Sequence, residues 1–192
     1  MEQDVALWEH SVAGDGEAFG ELFDRHRNRL FRHACRMVER RQDAEDVVAA
    51  AFLELWRRRE DVRLVNGSVL PWLLVTATNV SRNISRGTRR YRDFLARLPR
   101  ETPAPDIADV VAETSVLGVD ARLRGALHEL SEIDLQLFAL VALEDYPLAA
   151  AAAVLGLTPS AAKSRLHRIR LRMRDLLGGH SQYDHFARIG GQ

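Results

Sequence analysis

The stretch LAAAAAVLGLTPSAAKSRLHRIRLRMRDLL, residues 148–177, decides how this chain reads. An alanine-rich segment, a glycine and a capped basic segment follow one another, the order of a helix-turn-helix. Thr158-Pro159 marks the start of the second helix. The threonine hydroxyl can accept from free N–H groups of the first turn, and proline lacks a donor where none is needed. Ala162, Leu166, Ile169, Met173 and Leu176 recur at the spacing of one helical stripe and are expected to pack inward. Lys163, Ser164, His167 and Arg168 fall on a different face, near the N-terminal half of that helix. A helix lying in a DNA major groove presents such groups to base edges and phosphates. The same residues, with Arg165, Arg170, Arg172 and Arg174, also fit a solvated basic face, so the motif needs support elsewhere.

Composition bounds the possibilities. At 192 residues and 46% hydrophobic content the chain can build one large or two small domains with real cores. Lys plus Arg number 27 against 27 Asp plus Glu, so attraction to nucleic acid has to come from local clustering of charge. The single cysteine, Cys35, supports no internal disulfide and is expected in core packing, in keeping with a reducing cytoplasm. No apolar run approaches a membrane span, and Glu2 and Asp4 do not suit a secretion signal, so a soluble cytoplasmic protein without membrane insertion is expected. The histidines at 10, 26, 33, 128, 167, 180 and 185 show no metal-ligand spacing, and no phosphate loop or nucleophile elbow is present. His26 and His33 share a helix with nothing beside them to complete a site, which predicts surface or packing roles. The expectation is a non-enzyme with no metal, no cofactor and no small-molecule substrate.

From residue 97 to 114 the chain changes character: Pro99, Pro103 and Pro105 interrupt helix formation, and Glu101, Asp106, Asp109 and Glu113 add an acidic bias. Proline removes backbone donors and forces its predecessor into extended geometry, so this stretch reads as a linker between lobes free to move independently. No sustained strand alternation appears. The predicted architecture is all-α: two small helical domains, residues 1–96 and 115–178, with a tail over 179–192 to which no role is assigned.

In the first lobe Asp15 is placed to cap a helix carrying Phe19, Leu22, Phe23, Leu30, Phe31, Ala34 and Met37 on one broad side. Asp43 precedes a second helix with Ala44, Val47, Val48, Ala51, Phe52, Leu55 and Trp56 on one face, and Glu45 and Asp46 suit the positive end of its dipole. A third helix, from about Val69 to Arg90, accepts Pro71 in its opening turn and is expected to bury Leu73, Ala77, Val80 and Ile84. Its opposite side carries Thr76, Asn79, Asn83, Arg86 and Arg90. Asparagine can pair with a base edge and arginine can neutralise phosphate, although a solvated helix face accounts for such a row equally well.

The motifs together carry a family resemblance. GDGEAF at residues 14–19, DAEDVV at 43–48 followed by Ala51-Phe52 and Trp56, Trp72-Leu73 with Asn79, and KSRLHR at 163–168 resemble, in order and spacing, an extracytoplasmic-function (ECF) sigma factor of the sigma-70 superfamily. The resemblance covers nearly the whole chain. It implies that the first lobe is region 2, which binds core RNA polymerase and opens the −10 promoter element, and that the second is region 4, which reads the −35 element. By position it assigns Asp46, Leu53 and Glu54 to polymerase docking, and Asn79, Asn83, Arg86, Arg89 and Arg90 to the melted −10 strand and upstream phosphates. The segment 64–70, around Asn66-Gly67-Ser68, resembles the loop that forms the pocket for an extruded base, whose unstacking costs a few kcal/mol that polar partners must offset. Lys163, Ser164, His167 and Arg168 match the −35 contacts. Core polymerase, promoter DNA and an anti-sigma factor are the implied partners.

The sequence departs from the family pattern at Ala49-Ala50, where Gln-Glu is usual, and at Ala150-Ala151-Ala152, where a Glu-Ile-Ala core is common. These departures motivate an alternative, a sigma-derived helical protein that binds polymerase or a regulator without recognising promoters. A stand-alone helix-turn-helix repressor is a second alternative.

Overall fold

The computed structural model describes residues 4–97 and 121–177, and every regular element within them is helical. Apart from Arg97, the expected linker lies outside the described residues, as does the tail. The first lobe holds α1 (Val5–Val12), α2 (Gly16–Cys35), α3 (Arg41–Arg57) and α4 (Leu70–Ala96). The second holds α5 (Ala121–His128), α6 (Glu132–Phe138) running into a π-helical turn (Ala139–Leu143), then α7 (Leu148–Val154) and α8 (Pro159–Leu177).

Local chemistry sets most of the boundaries. The Asp15 carboxylate accepts from the Glu17 and Ala18 N–H groups at 2.9 and 3.1 Å, so α2 begins where expected. Its apolar side meets α3 through edge-on aromatic pairs, Phe19 with Trp56 at 5.0 Å and Phe23 with Phe52 at 4.8 Å. Such pairs contribute about 0.5–1.5 kcal/mol each beyond their burial. Asp43 does not precede α3 but lies in its first turn, buried, where it accepts from Arg40 Nε and Nη2 at 3.1 and 2.6 Å. The charge pair holds Asp43 within the turn, and the helix therefore starts earlier than its capping chemistry suggested.

Helix α4 runs past Arg90 to Ala96, because nothing in Tyr91-Arg92-Asp93-Phe94-Leu95 breaks a helix. Leu73 and Ala77 are fully buried as expected, Val80 and Ile84 only partly, while Leu74, Thr78 and Ser81 are also buried. The covered stripe is wider than the sequence implied because α4 is covered from two sides, by α2 and α3 and by α6, α7 and the π turn.

In the second lobe α7 ends in a Schellman motif: Leu157 N–H donates to Ala152 O at 2.9 Å and Gly156 N–H to Ala153 O at 3.4 Å, with Gly156 at φ 63°. The turn needs that left-handed conformation, which glycine adopts without a Cβ clash. The Thr158 hydroxyl then accepts from Ala161 N–H at 3.2 Å and opens α8. Ala162, Leu166, Ile169 and Met173 are buried along α8, but the stripe closes on Leu177 at 3% exposure and leaves Leu176 at 41%. Ala151 and Ala152 are buried in the same apolar core as the fully buried Phe138.

The lobes do not stand apart. Their buried apolar residues form one continuous core, with α4 at the seam.

Candidate nucleic-acid and polymerase surfaces

Burial of one side of α8 leaves Lys163, Ser164, His167 and Arg168 together on its exposed side, as the sequence predicted. Arg165, between the faces, is tied back to Asp134 of α6 at 2.8 Å. The quartet thus projects from a helix held in place by its core stripe, its cap and a salt bridge. Rigid display of this kind is what base-edge and phosphate contacts require.

On α4 the predicted row divides. Asn83, Arg86, Arg89 and Arg90 are exposed. Asn79 is half-buried, and its Oδ1 accepts from Gln136 Nε2 of α6 at 2.6 Å. Beside it Arg82 donates to the Leu130 carbonyl at 3.2 Å and faces Glu132 at 3.5 Å. The second lobe therefore occupies one of the two amides in this row. A cleft of about 1360 Å³ opens further along, lined by Arg86, Arg89, Arg92, Arg122 and His128 among others.

A buried polar cluster explains why the lobes stay together. Glu144 follows the π turn, and its side chain is only 5% exposed. It accepts from Arg29 Nε at 2.9 Å, Arg36 Nη1 at 2.8 Å and His33 Nδ1 at 3.0 Å, all three on or just after α2. The arginines also donate to the Glu144 and Leu143 carbonyls, each at 2.9 Å, and Arg29 lies over the Tyr146 ring at 5.4 Å. Across the His33 ring, Nε2 meets Thr78 Oγ1 at 2.9 Å, and that hydroxyl donates to Leu74 O at 2.8 Å. With the hydroxyl hydrogen so used, Thr78 Oγ1 is left to accept from the ring, and the His33 imidazole bridges Thr78 and Glu144. Burial by itself would raise the Glu144 pKa, but the contacts with His33, Arg29 and Arg36 outweigh it and hold the carboxyl below its usual 4.5. His33, expected in a surface or packing role, is a polar link between the lobes.

The polymerase-docking candidates lie on the outer side of α3. Asp46 is exposed and Leu53 is 53% exposed, while Glu54 is half-buried and ion-paired with Arg58. Ala49 and Ala50 sit on the same helix, exposed and half-buried.

The loop between α3 and α4 ends in a tight turn, Val65-Asn66-Gly67-Ser68, with Asn66 exposed at its tip. Ser68 Oγ donates to the fully buried Asp4 carboxylate at 2.6 Å, and Val69 N–H donates to the same oxygen at 3.0 Å. Sequence reading missed Asp4, Gln136 and Glu144. Their partners lie far away along the chain, and no local spacing marks them.

Among the described residues no group of three or more His, Cys, Asp or Glu side chains is placed to hold a metal ion. Cys35 is buried and free, and its burial pushes the thiol pKa up, consistent with packing. No described helix is long and apolar enough to cross a membrane.

An all-helical protein with a capped recognition helix in one lobe and an Asn/Arg face in the other has the features of a promoter-reading transcription factor. Comparison with known proteins makes the class specific. Residues 22–91 match the family model for Sigma-70 region 2, and residues 120–173 match that for Sigma-70, region 4. The chain is 32% identical over 169 residues to the RNA polymerase sigma factor CarQ of Myxococcus xanthus, covering 86% of this chain and 92% of that protein. It is 28% identical over 175 residues to the ECF RNA polymerase sigma factor SigM of Mycobacterium tuberculosis, covering 91% and 85%. The fold is shared with CnrH, solved in complex with the cytosolic domain of CnrY, at a TM-score of 0.62 and 24% identity over 94% of this chain and 100% of that one. The chain belongs to the sigma-70 family and is an RNA polymerase sigma factor of the ECF class.

Proposed function

We propose a division of labour between the lobes. Residues 115–178 read the −35 element through Lys163, Ser164, His167 and Arg168. Residues 1–96 bind core polymerase through Asp46, Leu53 and Glu54 and open the −10 element through Asn79, Asn83, Arg86, Arg89 and Arg90. The linker 97–114 spans the two, and the factor works in the cytoplasm without catalytic chemistry or cofactor of its own. The observation that carries this reading is the exposed quartet on α8, displayed opposite a continuous buried stripe. Because Gln136 Nε2 donates to Asn79 Oδ1, that bond has to be released or shared before the amide oxygen can pair with a base. An anti-sigma factor is the expected regulator, by analogy with CnrH, which was solved with CnrY.

Run-off transcription with core polymerase over a promoter library tests the proposal. Initiation dependent on both elements is the expected result. Initiation insensitive to substitution of the α8 quartet overturns the −35 assignment. Tight operator binding without polymerase favours a repressor.

A further inference from the structure

The turn at Asn66-Gly67 is well formed but lacks a sheet to hold it. Asn66 and Gly67 have φ of 54° and 75°, and Val65 and Ser68 exchange both backbone bonds, Val65 N–H to Ser68 O at 3.1 Å and Ser68 N–H to Val65 O at 3.2 Å. These are the features of a two-residue primed turn. The pairing stops at this one isolated bridge. Two-stranded hairpins are marginal in water even when longer, so the conformation must be secured from outside.

Asp4 supplies that support. Its N–H donates to the Gly67 carbonyl at 2.7 Å. Its Oδ2 accepts from Ser68 Oγ, Val69 N–H and His26 Nε2 at 2.6, 3.0 and 2.9 Å, and its Oδ1 accepts from Arg25 Nη1 at 3.0 Å. Ser68 Oγ accepts in turn from Leu70 N–H at 3.1 Å, in the first turn of the helix that carries Asn79. One fully buried carboxylate thus ties the turn, the start of α4 and the body of α2 together. An ionised carboxylate, with about four lone-pair sites across its two oxygens, can accept from all of these donors. As the N-cap of α1 its side chain makes no capping bond.

We propose that Asp4 is a positioning residue for −10 recognition, fixing the Asn66-Gly67 turn and the start of α4 in the geometry that receives the extruded base. This rests on reading the 64–70 segment as the base-receiving loop. Asp4 touches no nucleotide. It acts on base choice through the turn, so its loss alters discrimination at one promoter position rather than overall DNA affinity.

The test uses full-length chain with core polymerase on a promoter library randomised over both elements, with enrichment of each base read from the run-off transcripts. Asp4→Ala is expected to flatten enrichment at one −10 position by about tenfold, the scale of a lost base contact, while −35 enrichment and core affinity stay unchanged. Ser68→Ala, which removes the two bonds of the Ser68 hydroxyl and leaves the other contacts of Asp4 in place, should affect the same position less. Asp4→Asn keeps the volume and serves with Ser68→Ala if the alanine variant does not fold. Unchanged −10 enrichment in folded Asp4 and Ser68 variants, or equal losses at −10 and −35 accompanying a lower Tm, overturns the proposal. If Asn66→Ala shifts −10 enrichment while the Asp4 variants do not, the Asp4 assignment alone fails. If Asn66→Ala also leaves −10 enrichment unchanged, the loop reading fails with it.

Discussion

Replacing Glu144 by alanine deletes the single acceptor shared by Arg29, His33 and Arg36. Breaking a buried ion pair by removing one partner typically costs about 3–5 kcal/mol. Here the arginine side chains are each 36% exposed and can turn to water, whereas His33 is fully buried and cannot. Discounting the arginine share for solvent screening leaves about 2–4 kcal/mol. Urea denaturation should show that loss as a lower midpoint. A double-mutant cycle with His33→Ala should give a coupling of about 1 kcal/mol or more, because the two residues touch. The pH dependence has a definite sign. The Glu144 carboxyl is held below 4.5, so its stabilisation is present above that value and is lost as pH falls through the lower folded-state pKa. Wild type should therefore lose more stability on acidification below pH about 4.5 than Glu144→Gln does. An alanine variant within about 0.5 kcal/mol of wild type, with additive behaviour in the cycle, would refute the claim that this cluster joins the lobes.

Other substitutions probe the proposed surfaces. Arg168→Ala should weaken −35 recognition by about 1–3 kcal/mol in promoter-binding assays of the holoenzyme, with polymerase association intact. Equal loss of both would contradict its role. Asn79→Ala should impair strand opening more than closed-complex formation, seen as weaker permanganate reactivity of the −10 thymines at matched promoter occupancy. Gly156→Ala meets no neighbouring atom within 4 Å but has to adopt φ 63°, so a cost of about 1–2 kcal/mol in thermal denaturation is expected from backbone strain alone.

The helix-turn-helix was legible because each signal was local: Thr158 caps, Gly156 turns the chain, and the apolar spacing orients α8. The exchange of Leu176 for Leu177 at the end of the stripe shows the limit of that logic, since helical spacing permits either a three- or a four-residue step and only packing chooses. Asp43 misled for a related reason, because an acid in the first turn and an acid at the cap look alike until Arg40 is seen beside it. The α3 candidates came from the family resemblance, whereas the exposed face of α8 was recoverable as what is left once core positions are assigned. Asp4 and Glu144 were not, because an acid looks solvated until tertiary structure surrounds it with donors from distant helices.

The glutamate after the π turn bears on how freely such factors can be recombined. A chimaera joining residues 1–96 of this chain to the second half of a relative would confront Arg29, His33 and Arg36 with whatever side chain that relative places there. A neutral residue at that point would leave the fully buried His33 without its carboxylate partner and both arginines without their shared acceptor. Modular exchange therefore demands that the acid and its basic cradle travel together, and hybrids that ignore the pairing begin with a fault built into their hinge.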